Sequence, residues 1–215
     1  MEFERRSIRQ LGSADNDGAT VSSFFAPRSR NYGPLSFDRT HVASLSYYYA
    51  LPKPGARFHV RLLHIVADNW ELSGVTRVSS GGPFTPGIST TDSADLTGTS
   101  SEGARITVVD PSSPQVTAMF ARTPRNSFGN AGVGILRLPA TNNWDMSLYR
   151  RIPFNERMSM HLRFETYNTF NHTQFSDLYR TAKFDPAGSE VDPLFLVPSS
   201  ARSPRRIQLA VRLTW

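Results

Sequence analysis

Histidines and carboxylates are the first places to look for chemistry in this chain of 215 residues, which contains no cysteine. The histidines are His41, His59, His64, His161 and His172. A helical metal pair needs i, i+4 spacing and a zinc protease needs HExxH, whereas His59 and His64 are five apart and none has a closely paired carboxylate, so they read as polar wall and turn residues. Asp15-Asn-Asp-Gly18 is too short for a calcium loop with ligands at alternate positions and reads as a solvated turn. Gly129, Gly132 and Gly134 reverse the dinucleotide-binding spacing and precede no helical pattern, which leaves them the role of backbone freedom in a loop. Serine and aspartate abound, but no nucleophile elbow or ordered triad is present. Without cysteine there is no thiolate zinc site, disulfide or thiol nucleophile. The chain therefore reads as a non-enzyme with no cofactor and no metal.

Charge is the remaining chemical signal. Lys+Arg number 24 against 18 Asp+Glu, a formal net charge of +6, and the pI is near 10.0. Such a balance suits an anionic partner. The arginines are scattered and not clustered with stacking aromatics, so no nucleic-acid partner is expected. The one dense basic run is Arg202-Ser-Pro-Arg-Arg206. Arg77, Arg163 and Arg212 fall on the polar side of alternating segments. There they could meet an anionic substrate or pair with Glu71, Asp145 and Glu165, and pairing is the stronger expectation.

Those segments are the elements that must position the arginines. From Arg206 to Trp215, Ile207, Leu209, Val211, Leu213 and Trp215 alternate with Gln208, Ala210, Arg212 and Thr214, the period of a half-buried strand. Arg157–Thr166 sets Met158, Met160, Leu162 and Phe164 against Ser159, His161, Arg163 and Glu165. Asn143–Tyr149 sets Trp144, Met146 and Leu148 against Asp145 and Ser147, and Arg151–Glu156 reads as a tight connection completing a hairpin. His41–Leu51 and, more weakly, Trp70–Ser80 follow the same rule. In Arg57–Val66, Phe58, Leu62, Ile65 and Val66 instead have helical spacing. The links 51–70 and 151–157 are short, whereas 81–142 and 171–205 are long, polar and without periodicity. Short and long links thus alternate, as in outer-membrane barrels, which put short turns on the periplasmic side and long loops outside.

Hydrophobic residues make up 39% of the chain and charged residues 20%, so neither a disordered chain nor a helical membrane protein is expected. The charged MEFERRSIRQLG start is not a secretory signal peptide, and no window provides the roughly 18 apolar residues of a membrane helix. Alternation alone leaves two readings. In a soluble sandwich the apolar face packs on a second sheet, and in a barrel it meets lipid. Trp70, Trp144, Trp215 and Tyr49 at strand ends, where aromatic girdles form, favour the barrel.

Several stretches carry a family resemblance: Asn31-Tyr-Gly-Pro-Leu-Ser-Phe-Asp-Arg-Thr-His41, Asn69-Trp-Glu-Leu-Ser-Gly74, Ser80-Gly-Gly-Pro-Phe84, Phe128-Gly-Asn-Ala-Gly132, Ile135-Leu-Arg137, Asn142-Asn-Trp-Asp-Met-Ser-Leu148, Phe164-Glu-Thr-Tyr-Asn-Thr-Phe-Asn-His-Thr-Gln-Phe175 and Arg202-Ser-Pro-Arg205. In this order, and covering most of the chain from about Asp15, they resemble the C-terminal part of a TonB-dependent outer-membrane receptor of the Oar-like type, common in acidobacterial genomes and often preceded by a carboxypeptidase-regulatory-like domain. The resemblance implies an all-β fold, an antiparallel sheet of about five strands forming part of an outer-membrane β-barrel. It divides the chain into a partial extracellular loop and truncated start, 1–39, and a barrel segment, 40–215, with strands near 41–51, 70–80, 143–151, 157–168 and 206–215.

The resemblance also implies that Val211, Leu213 and Trp215 form a C-terminal signal read by the barrel-assembly machinery, Trp215 standing where the family usually has Phe. Trp144, Met146, Leu148, Met160, Leu162, Phe164, Ile207 and Leu209 would face outer-membrane lipid, and Asp145, Arg163, Glu165 and Arg212 the lumen. The family's signal peptide, energy-coupling box, plug and most strands have no counterpart here, so the chain is expected to be a fragment in which Met1–Gly12 replaces an earlier strand. Coupling to TonB would run only through the absent plug, and the ligand is unassigned. Alone in lipid, an open five-stranded sheet would leave two edges of unpaired backbone groups, on the order of tens of kcal/mol. The alternative is a soluble surface-binding β-sandwich, perhaps for carbohydrate.

Overall fold

The computed structural model describes residues 32–59, 66–99 and 103–215. In chain order its strands are β1 (Val42–Ala50), β2 (Trp70–Ser79), β3 (Pro83–Phe84), β4 (Gly87–Thr90), β5 (Thr107–Val108), β6 (Phe120–Ala121), β7 (Leu136–Arg137), β8 (Thr141–Pro153), β9 (Ser159–Tyr167), β10 (Phe175–Leu178), β11 (Thr181–Phe184), β12 (Pro198–Ala201) and β13 (Arg206–Thr214). The alternating segments have become the five long strands, which form one sheet in the order β1-β2-β8-β9-β13. Every neighbouring pair in it is antiparallel. Strand β8 continues to Pro153, beyond the boundary at Arg151 that the sequence suggested. The hairpin into β9 is correspondingly tight. Phe154 N–H donates to the Met158 carbonyl at 2.9 Å, and the Asn155 carboxamide oxygen accepts from the amides of Arg157 and Met158 at 2.9 and 2.7 Å. Met158 thus belongs to the turn and not to the strand.

The helix-period stretch in the first short connection contains one described helical turn, α1 (Pro54–Phe58), with proline at its start. Asp68 caps it, accepting from Gly55 and Ala56 N–H at 2.7 and 3.0 Å, which satisfies amides that a helix start leaves without partners. His59 ends it in the left-handed region. Leu62, Ile65 and His64 lie outside the described residues, as do Met1–Gly12 and Asp15–Gly18.

The chain divides into two compact units, each gathered from separate stretches of sequence. One unit is Met1–Thr40, Ser80–Pro139 and Phe175–Ala201; the other is His41–Ser79, Ala140–Gln174 and Arg202–Trp215. The reason is topological. The long connections leave and re-enter the sheet between strands that are neighbours in it, and both belong to the first unit.

The first unit corrects the reading of the long links as stretches without structure. Strand pairs β3–β7, β5–β6 and β10–β12 are antiparallel ribbons, and β4 and β11 pair in parallel. The β4–β11 pair ties the 80–139 connection to the 175–201 connection. Beneath these ribbons Ile106, Phe120, Ala131, Ala182, Phe184 and Phe195 form a buried cluster, with the Phe120 and Phe195 rings edge to face at 5.9 Å. Burying this much aromatic and aliphatic surface offsets the ordering entropy of segments otherwise rich in polar residues.

Candidate binding pocket on the polar face

In the second unit the register fixes two faces. Tyr49, Leu72, Leu148, Phe164 and Leu209 form one cross-strand row. Trp144, Met146, Met160, Leu162, Ile207, Val211 and Leu213 share its face by the two-residue period, and Trp215 follows directly after β13. On this face Leu45, Leu209 and Val211 are 61%, 75% and 65% exposed. One charged side chain, Arg150, also falls on this face. Its guanidinium donates to the Val66 carbonyl at 2.8 Å and lies 5.4 Å from the Trp70 ring centroid, so the first short connection takes up its charge.

The opposite face is polar. It carries Asp145, Arg163, Glu165 and Arg212. Arg163 pairs with Glu165 at 2.8 Å, while His161 is held between the Tyr149 hydroxyl on Nδ1 and, at 3.2 Å, the Ser159 hydroxyl on Nε2. The expected pairing therefore holds for Arg163. It fails for Arg77: among the described residues no carboxylate lies within ion-pair distance of Arg77 or Arg212.

A corner built from Phe164–Gln174 shapes the end of this face from which the long connections depart. Asn168 takes a positive φ of 51°, which asparagine tolerates better than most residues. Its carboxamide accepts from His172 N–H at 3.1 Å and donates to the His172 carbonyl at 3.0 Å, closing the turn on itself. Its own amide donates to Asp145 Oδ1 at 2.9 Å. The Thr169 hydroxyl and amide both donate to the Trp144 carbonyl, at 2.9 and 2.8 Å, and Phe170 packs edge to face on Trp144 at 5.5 Å. The Tyr-Asn-Thr-Phe-Asn-His stretch thus stitches the end of β9 to β8.

Beside this corner lies a pocket of about 850 Å³, lined in part by Arg77, Asp145, Gln174, Arg202 and Arg206. Its charged lining residues are Arg77, Arg202 and Arg206 against Asp145. Asp145 already accepts from Asn168, and Arg206 donates to the Ser203 hydroxyl at 3.2 Å. Neither Arg202 nor Arg206 has a carboxylate partner among the described residues. Gln174 is 6% exposed. Its nitrogen donates to Asn143 at 3.3 Å, and its Oε1 is buried without a partner.

The sequence marked Arg77 as a polar-face residue, and the structure brings Arg202 and Arg206 to the same pocket. Gln174 was missed, and since it lies in an aperiodic segment no pattern singles it out. No curated protein and no solved structure matches the chain. The family model of the outer membrane beta barrel domain matches residues 5–208. Given an antiparallel sheet with one exposed apolar face and one polar face, the chain belongs to that family and is an outer-membrane β-barrel protein.

Proposed function

We propose that this length of barrel wall serves a TonB-dependent receptor that takes up a large ligand by energy coupled from the inner membrane, and that it carries out no catalysis itself. The observation that carries the reading is the division of labour in the sheet. The apolar face suits lipid, and the opposite face holds an open, polar, positively charged pocket at the end where the folded long connections begin. The resemblance of the quoted stretches to Oar-like receptors supports the same role. In this reading β13 runs inward, so Trp215 ends at the periplasmic side, and Val211, Leu213 and Trp215 present the aromatic-ended strand that the assembly machinery reads. A soluble sandwich would need a second sheet over Leu209 and Val211, and the outer-membrane family excludes it.

Two measurements test the proposal. The chain produced behind a secretion signal should reach the outer membrane with heat-modifiable gel mobility, and Trp215→Ala should abolish this. The native outer-membrane complex containing the chain should also include a plug domain and be captured by an immobilised periplasmic TonB domain. A complex lacking both would leave a wall protein and remove the uptake role.

A further inference from the structure

We propose that the pocket bordered by Arg77, Arg202 and Arg206 is a binding subsite for a soluble ligand that carries two or more oxyanion groups. This names the ligand class for the uptake reading and rests on it only for where the ligand goes next.

Three observations carry it. The three arginines come from β2, from the segment before β13 and from the first residue of β13, yet they line one concavity. No described carboxylate pairs with any of them, although Arg122, Arg137, Arg163 and Arg180 elsewhere each have an acidic partner. An arginine fork matches the planar geometry of a carboxylate or phosphate, so unpaired forks facing a shared space form a receptor for such groups. The volume of about 850 Å³ falls within the range of roughly 300–1,000 Å³ for small-ligand sites.

A lipid headgroup phosphate offers the same anionic chemistry, but Arg77 and Arg206 fall on the face of the sheet opposite Leu209 and Val211. The geometry therefore favours a soluble ligand.

The test uses outer membranes containing the full chain and end-labelled trigalacturonate as probe, with maltotriose as its uncharged counterpart. Trigalacturonate should bind and maltotriose should not. Binding should weaken as salt is raised. Arg77→Gln, Arg202→Gln and Arg206→Gln should each weaken it about tenfold, the worth of one charge-assisted hydrogen bond. Arg163→Gln, on the same face but paired with Glu165 and outside the pocket, should leave binding unchanged. Equal binding of both sugars, no trigalacturonate binding, or indifference to all three arginine variants would overturn the proposal. So would a loss of co-purifying lipopolysaccharide in those variants without loss of sugar binding, which would assign the arginines to lipid phosphates. Capture by TonB with no oxyanion binding removes the ligand class alone, whereas binding without capture removes the uptake role alone.

Discussion

Asn168 combines a left-handed backbone with side-chain hydrogen bonds to both the amide and the carbonyl of His172. Asn168→Ala should therefore destabilise the second unit by about 2–3 kcal/mol, adding the left-handed penalty to a broken turn. Asn168→Gly, which relieves the backbone but not the lost bonds, should cost less. The urea midpoint of the heat-modifiable form would rank the two. Asp92 gives a pH-dependent case in the first unit. Burial pushes its carboxyl up, but hydrogen bonds from the Thr90 side chain, the Arg122 guanidinium and the Ala94 amide together hold it below the usual carboxylate range. Arg122 contacts both oxygens, at 3.1 and 2.9 Å. Because the folded value is lowered, the stabilisation is present above the unfolded value of about 4 and is lost as pH falls through the folded one. Limited proteolysis of the first unit should thus accelerate on acidification. Asp92→Asn should make it faster at pH 7 and flatten that acid response.

Among the elements, β2 carries a glycine that the sheet needs. A Cβ at Gly74 would meet the Tyr47 ring from β1 and, at 2.7 Å, the Asp145 carbonyl on β8. Gly74→Val should push Tyr47 off its neighbour and cost about 1–3 kcal/mol, seen as a lower temperature for loss of the compact gel form. The long strands were legible in the sequence because a sheet with unlike environments on its two faces forces strict alternation, as in Ile207–Trp215. The first unit was not, because ribbons such as β3 and β5 are two residues long and too short to show a period. Its core joins Ile106 and Phe120 to Phe184 and Phe195 across great sequence distances. The pocket was half legible: alternation assigned Arg77 to the polar face, but Gln174 and Arg202 sit in aperiodic segments that only the corner at Asn168 brings alongside it.

At the scale of the whole molecule, the two connection types emerge from opposite ends of the sheet. The absence of cysteine makes sidedness measurable with single introduced thiols. On intact cells a membrane-impermeant maleimide should label Gln115→Cys, in the long-connection unit, but reach Glu156→Cys, in the β8–β9 turn, only after permeabilisation. The reverse pattern would invert the proposed orientation. A further consequence follows from the strand order β1-β2-β8-β9-β13. With antiparallel neighbours throughout, the outermost strands of an odd-numbered set point the same way. Two copies inserted with the same polarity would therefore meet at two parallel seams, foreign to the antiparallel walls of outer-membrane barrels. Copies of opposite polarity could pair like edges, but would send one copy's long connections to each side of the membrane. An all-antiparallel cylinder containing this sheet must therefore complete its circumference with an odd number of other strands.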